Sequence, residues 1–201
     1  MLARRNLLRL GLAAAAGAGL SAVHANAGDL PLVPTLPFTP PPVPGAPLRA
    51  IASRTVALHN LHTGEKLSAV YYENGRYAPD VMHAVNHVLR DYRTGDTHMI
   101  DPRLLDLLDA VTKRTGSRDP VEVICGYRSP RTNAMLHQHS EEVASHSLHL
   151  KGQAIDIRLD DAALPHLHDA ALKLGAGGVG YYPVSNFVHI DVGPVRRWQG
   201  T

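Results

Sequence analysis

The spacing of apolar residues along the chain predicts four helices. Between residues 81 and 92, apolar residues recur at intervals of three and four, which places them on one face of a helix. Asp101 followed by Pro102 is typical of a helix N-terminus, with an aspartate cap and a proline in the first turn. A further helix covers about residues 164–174 and ends at a glycine, and a brief helix follows Pro130.

Strand patterns occupy the stretches around these helices. Short runs rich in β-branched and other apolar residues alternate with polar residues and are bounded by turn residues. The predicted strands cover residues 55–58, 67–72, 121–125, 153–159, 179–182 and 187–192. Because helices come first and strands follow, the pattern predicts an α+β fold, with a small, mostly antiparallel sheet and helices packed on one side.

Two of these strands carry histidine and aspartate inside apolar sequence. Alternate residues of a strand share a face, so Asp156 points away from the isoleucines on either side of it. By the same alternation, His189 and Asp191 lie together on the polar face of the last strand. Gly152 allows the preceding loop to bend, so that His149 folds back over Asp156.

Two imidazoles and one carboxylate are the ligand types of a catalytic zinc site, in which a fourth position is left for water. Zinc bound in this way lowers the pKa of the water and polarises a carbonyl group, which are the requirements of amide hydrolysis. A polar strand face turned towards solvent would show the same alternation. The residue pattern by itself therefore leaves both interpretations open.

The motif Ser-x-His-x-x-Gly-x-Ala-x-Asp, from Ser147 to Asp156, resembles that of the zinc D-Ala-D-Ala peptidases and their murein endopeptidase relatives, in the superfamily that includes hedgehog-type domains. The segment Gly-Tyr-Arg-Ser-Pro at residues 126–130, with Asn133 after it, is similar to the segment preceding that motif in the same families. Residues 178–198, which include the second histidine segment, are similar to the end of the murein endopeptidases. The resemblance covers about residues 54–198.

This resemblance implies a metal site and a substrate. One zinc ion per chain would be held by His149, Asp156 and His189, and the substrate would be the stem peptides of peptidoglycan. Arg128 matches the arginine that holds a substrate carboxylate or carbonyl, a role that suits a planar, permanently charged guanidinium. The function expected is that of an exported zinc metallopeptidase that hydrolyses peptide cross-links of peptidoglycan.

The chain departs from the carboxypeptidase pattern at one position. Those enzymes have a glutamate three residues before the last zinc ligand as general base, whereas this chain has Asn186, which cannot accept a proton. Asp191 and His146 are the candidate catalytic residues that remain, and Asp191 could instead orient the His189 imidazole. Because of this departure, an alternative is a non-catalytic, zinc-stabilised module that binds cell wall or peptide.

The first 50 residues are predicted to lie outside the folded domain. Residues 1–27 are typical of a signal peptide, with Arg4-Arg5 ahead of an apolar run and small residues at a cleavage site. The paired arginines resemble a twin-arginine signal, although an ordinary secretory signal can also contain them. Residues 28–50 contain eight prolines and are expected to form an extended linker. The peptidase domain is expected at residues 51–201, in the periplasm.

Composition narrows the function classes further. The chain has 20 basic and 18 acidic residues, and three of its arginines lie in the predicted signal, so the remainder is near neutral and gives no support to nucleic-acid binding. The apolar run of the signal is too short to span a membrane, so no stable span is expected after cleavage. Thirteen histidines exceed ordinary usage, and the single cysteine, Cys125, is expected to be a buried structural thiol.

Overall fold

The computed structural model describes residues 53–139 and 143–201. The predictions for residues 1–27 and 28–50 therefore lie outside the described residues. The elements are β1 (Arg54–Asn60), β2 (Lys66–Glu73), β3 (Arg76–Tyr77), α1 (Pro79–Val88), α2 (Pro102–Thr115), β4 (Val121–Cys125), α3 (Pro130–His139), a 3-10 turn (Leu148–Lys151), β5 (Ala154–Arg158), α4 (Leu164–Leu174), β6 (Gly178–Tyr182), β7 (Phe187–Asp191) and β8 (Arg196–Gln199). No helix among them is long and apolar enough to cross a bilayer.

The described strands form one eight-stranded sheet in the order β3-β2-β1-β4-β5-β7-β6-β8. Strands β1 and β4 are parallel, as are β6 and β8, and the other neighbours are antiparallel. The α+β class is confirmed, but the expectation of a small, mostly antiparallel sheet is corrected to a mixed sheet of eight strands. The parallel pair β1–β4 arises because α1 and α2 carry the chain across before it returns, as parallel pairing requires.

Three helices and one face of the sheet share a single apolar core. Helices α1, α2 and α4 contribute residues such as Val85, Leu104 and Leu167, all fully buried, to a cluster that also contains the inward side chains of the strands. Helix α3 contributes no residue to this cluster, and its buried side chains are the polar Thr132 and Asn133. Helix α3 is therefore not part of the packing of this core.

The opposite face of the central strands carries the polar residues that the alternation predicted. Strand β5 buries Ile155 and Ile157 in the core, and β7 does the same with Val188 and Ile190. Strands β5 and β7 are antiparallel neighbours, and their register sets Asp156 directly opposite His189. Two residues that lie 33 positions apart in the chain are thus brought side by side at the middle of the sheet.

Candidate metal centre

A short turn of 3-10 helix presents His149 to the sheet. The Ser147 hydroxyl accepts a hydrogen bond from the His149 amide and caps the turn, which ends at Gly152 in the left-handed conformation (φ +63°). A side chain at Gly152 would also collide with the carbonyl oxygen of Met99. The chain therefore reverses sharply between the turn and β5, as predicted, and this reversal brings the imidazole of His149 over Asp156.

Three ligand-type atoms converge above β5 and β7. His149 Nε2 lies 3.2 Å from Asp156 Oδ1 and 3.2 Å from His189 Nδ1, and His189 Nδ1 lies 2.8 Å from Asp156 Oδ1. All three residues are buried. Ligands about 2.0–2.2 Å from a zinc ion lie roughly 3.3–3.5 Å apart when the geometry is tetrahedral. The donor types of these side chains fit such an ion, and because their separations of 2.8–3.2 Å are slightly shorter, the side chains would move apart a little to hold it.

Each histidine is held by its other ring nitrogen. His149 Nδ1 lies 2.7 Å from the carbonyl oxygen of Gly126, and His189 Nε2 lies 3.0 Å from Asp191 Oδ2. A hydrogen bond donated at these positions leaves the lone pairs of His149 Nε2 and His189 Nδ1 directed at the cluster. Outer partners of this kind orient the histidine ligands of metal sites.

Asp191 uses both of its carboxylate oxygens in this network. Oδ1 accepts hydrogen bonds from the amides of Gly178 and Gly193, at 3.1 and 2.8 Å, and Arg196 donates to both oxygens. Although burial raises the pKa of Asp191, these hydrogen bonds and that from His189 hold the pKa well below its usual range. With no exposed surface, Asp191 is arranged to orient His189, and this geometry favours the positioning role over that of general base.

The charges of Asp156 and His149 depend on each other. Burial lowers the pKa of His149, but the neighbouring Asp156 and Cys125 together raise it further than burial lowers it, to about 10. Burial likewise opposes the charge on Asp156, yet the two histidines hold its pKa below the usual range. Asp156 is therefore ionised, as a carboxylate ligand must be, and a metal that binds His149 must displace a proton.

Arg128 borders the same cluster, and its guanidinium is only partly used. Nη2 lies 3.8 Å from Asp156 Oδ2, and Nη1 donates to Asn133 Oδ1 at 3.4 Å. The Nε atom is buried and has no hydrogen-bond partner among the described residues. Helix α3 supplies Asn133, so this helix holds the arginine instead of contributing to the core. A buried donor without a partner is costly, and a ligand in the cleft can supply the missing acceptor.

A cleft of about 380 Å³ opens over the cluster. His149, Asp156 and His189 line its floor together with Arg128, and exposed His146 lines its wall. Asp191 does not line the cleft, which again separates it from a substrate.

Asn186, the residue at the usual glutamate position, belongs to the turn between β6 and β7. It adopts the left-handed conformation, with φ of +55°, and lines a different cavity beside Arg158. Asparagine tolerates this conformation better than most residues do. The structure therefore gives Asn186 a role in the turn and none in the cleft.

Three further residues of the site were not predicted from the sequence. Arg196 and Trp198 reach it from β8, a strand whose mostly exposed side chains carry no apolar alternation. The Trp198 ring lies 5.1 Å from that of His189 between centroids, over Gly180, and its indole N–H donates to the Tyr182 hydroxyl at 2.9 Å.

Cys125 is the third residue, which the sequence predicts only as a buried structural thiol and not as part of the site. Its Sγ, a ring nitrogen of His149 and a carboxylate oxygen of Asp156 all lie within 4.8 Å of one another. The side chain is half-buried. Cys125 thus belongs to the polar face of the sheet, beside the predicted ligands.

Comparison with known proteins identifies relatives of this chain. A family model of peptidase M15, described as "Peptidoglycan L,D-endopeptidase MepK", matches residues 49–198. The peptidoglycan L,D-endopeptidase MepK of Escherichia coli (strain K12) is 42% identical over 195 residues, which cover 97% of this chain and 96% of that relative. The probable peptidoglycan L,D-endopeptidase MepK of Haemophilus influenzae is 42% identical over 148 residues, 73% of this chain and 80% of that relative. No solved structure gave a significant match. This chain therefore belongs to the MepK family of peptidase M15.

Proposed function

We propose that this protein is a zinc-dependent endopeptidase that hydrolyses peptide cross-links of peptidoglycan. The observation that carries the proposal is the convergence of His149 Nε2, Asp156 Oδ1 and His189 Nδ1 on one point at the floor of an open cleft. Zinc held there would lower the pKa of a water molecule and polarise the scissile carbonyl. The relatives are named L,D-endopeptidases, and we assign the same class of cross-link to this chain.

The substrate would be held by Arg128. Peptidoglycan stem peptides carry free carboxylates, and the guanidinium offers a planar set of donors of which Nε has no partner among the described residues. Its position beside Asp156 would place a bound carboxylate or carbonyl next to the metal ligands. Arg128 would therefore align the peptide across the cluster.

His146 would act as the general acid or base that transfers a proton during hydrolysis of the peptide bond. Among the candidate catalytic residues, it is the one whose side chain lines the cleft and is exposed there. Imidazole serves as a general acid or base near neutral pH. Asp191 would act indirectly, because its oxygens are occupied by His189, Arg196 and two backbone amides.

The open cleft favours an enzyme over a non-catalytic binding module. A structural metal site is surrounded by protein on all sides, whereas this cluster forms the floor of an open space of about 380 Å³. The action on peptidoglycan also agrees with the periplasmic location and the twin-arginine signal, which we propose from residues 1–27 of the sequence.

Digestion of purified murein with the full-length protein tests this function. We expect cross-linked muropeptides to be converted to monomers, with products whose masses identify an L,D cleavage. A chelator should abolish the conversion, and added zinc should restore it. The His189→Ala variant should lack activity, whereas His166→Ala, which changes an exposed histidine on α4, should retain it. Cleavage that persists in the zinc-free protein would overturn the proposal.

A further inference from the structure

Strand β6 leaves room for side chains of β8 to lie flat across it. Gly180 is paired with both Trp198 and His189, so all three lie on the face of the sheet that carries the cluster. Gly178 is paired with Arg196 in the same way. A Cβ atom at Gly180 would lie 2.6 Å from Trp198 Cε2. Because glycine has no such atom, the indole can cross over β6 and reach His189, with 5.1 Å between the ring centroids.

The indole of Trp198 is held in this position and presents an apolar surface to the cleft. Its N–H donates to the Tyr182 hydroxyl at 2.9 Å, and the guanidinium carbon of Arg196 lies 5.0 Å from the ring centroid. The side chain lines the cleft and is partly exposed. The N–H is the only hydrogen-bonding group of a tryptophan side chain, and here Tyr182 accepts its hydrogen bond. What the ring offers to a ligand is therefore a flat apolar surface.

Two further aromatic rings extend this surface along the cleft. Tyr182 and Phe187 close the β6–β7 hairpin, stack with 4.4 Å between their ring centroids, and line the same cleft as Trp198. Arg128 follows β4, and the strand order β4-β5-β7-β6-β8 places the cluster between this arginine and the three aromatic rings. A peptide that lies across the cluster therefore meets a guanidinium on one side and an apolar surface on the other.

The short distance between Trp198 and His189 restricts what can bind to the indole. A group that rests on this ring lies beside a metal ligand, so it belongs to a residue at the cleaved bond. The sugars of peptidoglycan are attached at the far end of the stem peptide. A long unbranched aliphatic side chain suits the ring, because each methylene group that it removes from water adds to the binding free energy.

We propose that Trp198, extended by Tyr182 and Phe187, binds a long aliphatic side chain of the substrate residue at the cleaved bond. This inference rests on the proposed function for the position of that bond and adds a determinant of substrate choice. Trp198 would favour a long side chain over a short one, and it would take no part in proton transfer. The metal site keeps its three protein ligands and its open position for water.

Cleavage of two matched substrates tests this specificity. One is a cross-linked stem peptide, and the other is its analogue with a methyl side chain on the residue at the cleaved bond. The wild type should cleave the first with a kcat/KM about tenfold or more higher. Trp198→Ala should lose this preference by losing activity on the long side chain alone, and Trp198→Phe should keep most of it. Equal losses on both substrates in Trp198→Ala would show that the indole only supports His189, and would overturn the inference.

Intrinsic fluorescence provides a second measurement that needs neither a variant nor turnover. Trp198 is the single tryptophan of the chain, so the emission of the full-length, zinc-loaded protein reports this residue. Titration with monomeric muropeptides should shift the emission to shorter wavelength, because the bound side chain displaces water from the indole. Muropeptides freed of their disaccharide should give the same shift, and analogues with the methyl side chain should not. An emission that stays unchanged at saturation, or that shifts only when the sugar is present, would overturn the inference.

The two proposals fail separately. A protein that cleaves muropeptides without a change in Trp198 emission overturns the role of the indole and leaves the endopeptidase intact. A protein whose emission shifts with the long side chain but that cleaves no cross-linked muropeptide supports the binding site and overturns the proposed function.

Discussion

The position of His189 depends on a chain of contacts that ends at Arg196. Arg196 binds both oxygens of Asp191, which is fully buried, and Asp191 in turn accepts the hydrogen bond from His189 Nε2. Without Arg196, a buried carboxylate would lose its counter-charge and two of its donors. The orientation of His189 towards the cluster is thus controlled from the neighbouring strand β8.

Replacement of Arg196 tests this chain of contacts. Arg196→Gln should weaken zinc binding by about 10–100-fold, the usual cost of losing an outer partner of a metal ligand. Arg196→Lys should recover part of the affinity, because it keeps the charge but not the two-pronged hydrogen bonding. Competition with a chelator of known affinity measures both effects. Equal zinc affinity in the wild type and the Gln variant would show that Asp191 needs no such support.

His146 is expected to affect turnover and not metal binding. Its side chain lines the cleft wall, and its Nδ1 lies 3.0 Å from the Ser145 hydroxyl, not against a ligand. His146→Ala should therefore lower kcat on muropeptides by about a hundredfold or more, which is typical of losing a general acid or base. Zinc content, measured on the same samples, should remain that of the wild type. Unchanged kcat would remove His146 from the proton transfer.

At the scale of single elements, helix α2 depends on Asp101, the N-cap residue that precedes it. The Asp101 side chain accepts the hydrogen bond of the Arg103 amide and also binds the Arg103 and Gln153 side chains. Asp101→Ala should cost about 1 kcal/mol of unfolding free energy, whereas Asp101→Asn, which retains a capping oxygen, should cost less. Urea unfolding of the two variants at neutral pH measures this difference.

The lowered pKa of Asp101 also predicts the direction in which folding stability changes with pH. The hydrogen bonds from Arg103 lower the pKa of Asp101 in the folded protein, in spite of burial. A lowered folded-state pKa means that the ionised carboxylate stabilises the fold above its unfolded pKa of about 3.9, and that this contribution is lost as the pH falls further. The stability difference between wild type and Asp101→Asn should therefore be full at pH 7 and shrink below about pH 4. A difference that grows on acidification would contradict this sign.

Strand β6 is adapted to the tryptophan that covers it. A Cβ atom at Gly180 would lie 2.6 Å from Trp198 Cε2, so any side chain there must displace the indole from His189. Gly180→Ala should cost about 1–3 kcal/mol, as overpacking usually does. In a Trp198→Ala background the same change should cost much less, because the obstructing ring is gone. Equal costs in the two backgrounds would show that the indole does not require the glycine.

Elements with strong local signals were predictable from the sequence, and those defined by distant pairing were not. The cap at Asp101 and the glycine at 175 mark the start of α2 and the end of α4, and both ends agree with the structure. The alternation in β5 and β7 likewise placed Asp156 and His189 on one face. Such signals need only a few adjacent residues.

The unpredicted features depend on contacts that a local pattern does not contain. Strand β8 is short and exposed, and it exists because it pairs with β6, so the roles of Arg196 and Trp198 could not be read from spacing. The sequence predicts Cys125 only as a buried structural thiol, and the register shift in β4, which sets it opposite Asp156, depends on pairing with a distant strand. The mixed sheet has the same origin, since pairing partners depend on the whole chain.

At the scale of the whole molecule, one face of the sheet stabilises the fold and the other face carries the candidate metal centre. One face of the central strands packs against α1, α2 and α4, and the other carries the cluster and its cleft. Substitutions on the polar face should therefore alter metal binding and turnover with little effect on the apolar core. Two further segments complete the site on this polar face. The 3-10 turn supplies His149, whose Nδ1 contacts the carbonyl oxygen of Gly126, and α3 supplies Asn133, which accepts a hydrogen bond from Arg128.

The proposed activity needs one metal ion bound by His149, Asp156 and His189. The most direct test measures zinc content and muropeptide cleavage together, in the wild type and in His189→Gln, with His166→Gln as the control. We predict about one zinc per chain and full cleavage in the wild type and the control. The His189→Gln protein should lose both. A His189→Gln protein that keeps its zinc and its cleavage of muropeptides would show that this cluster is not the metal site of the enzyme.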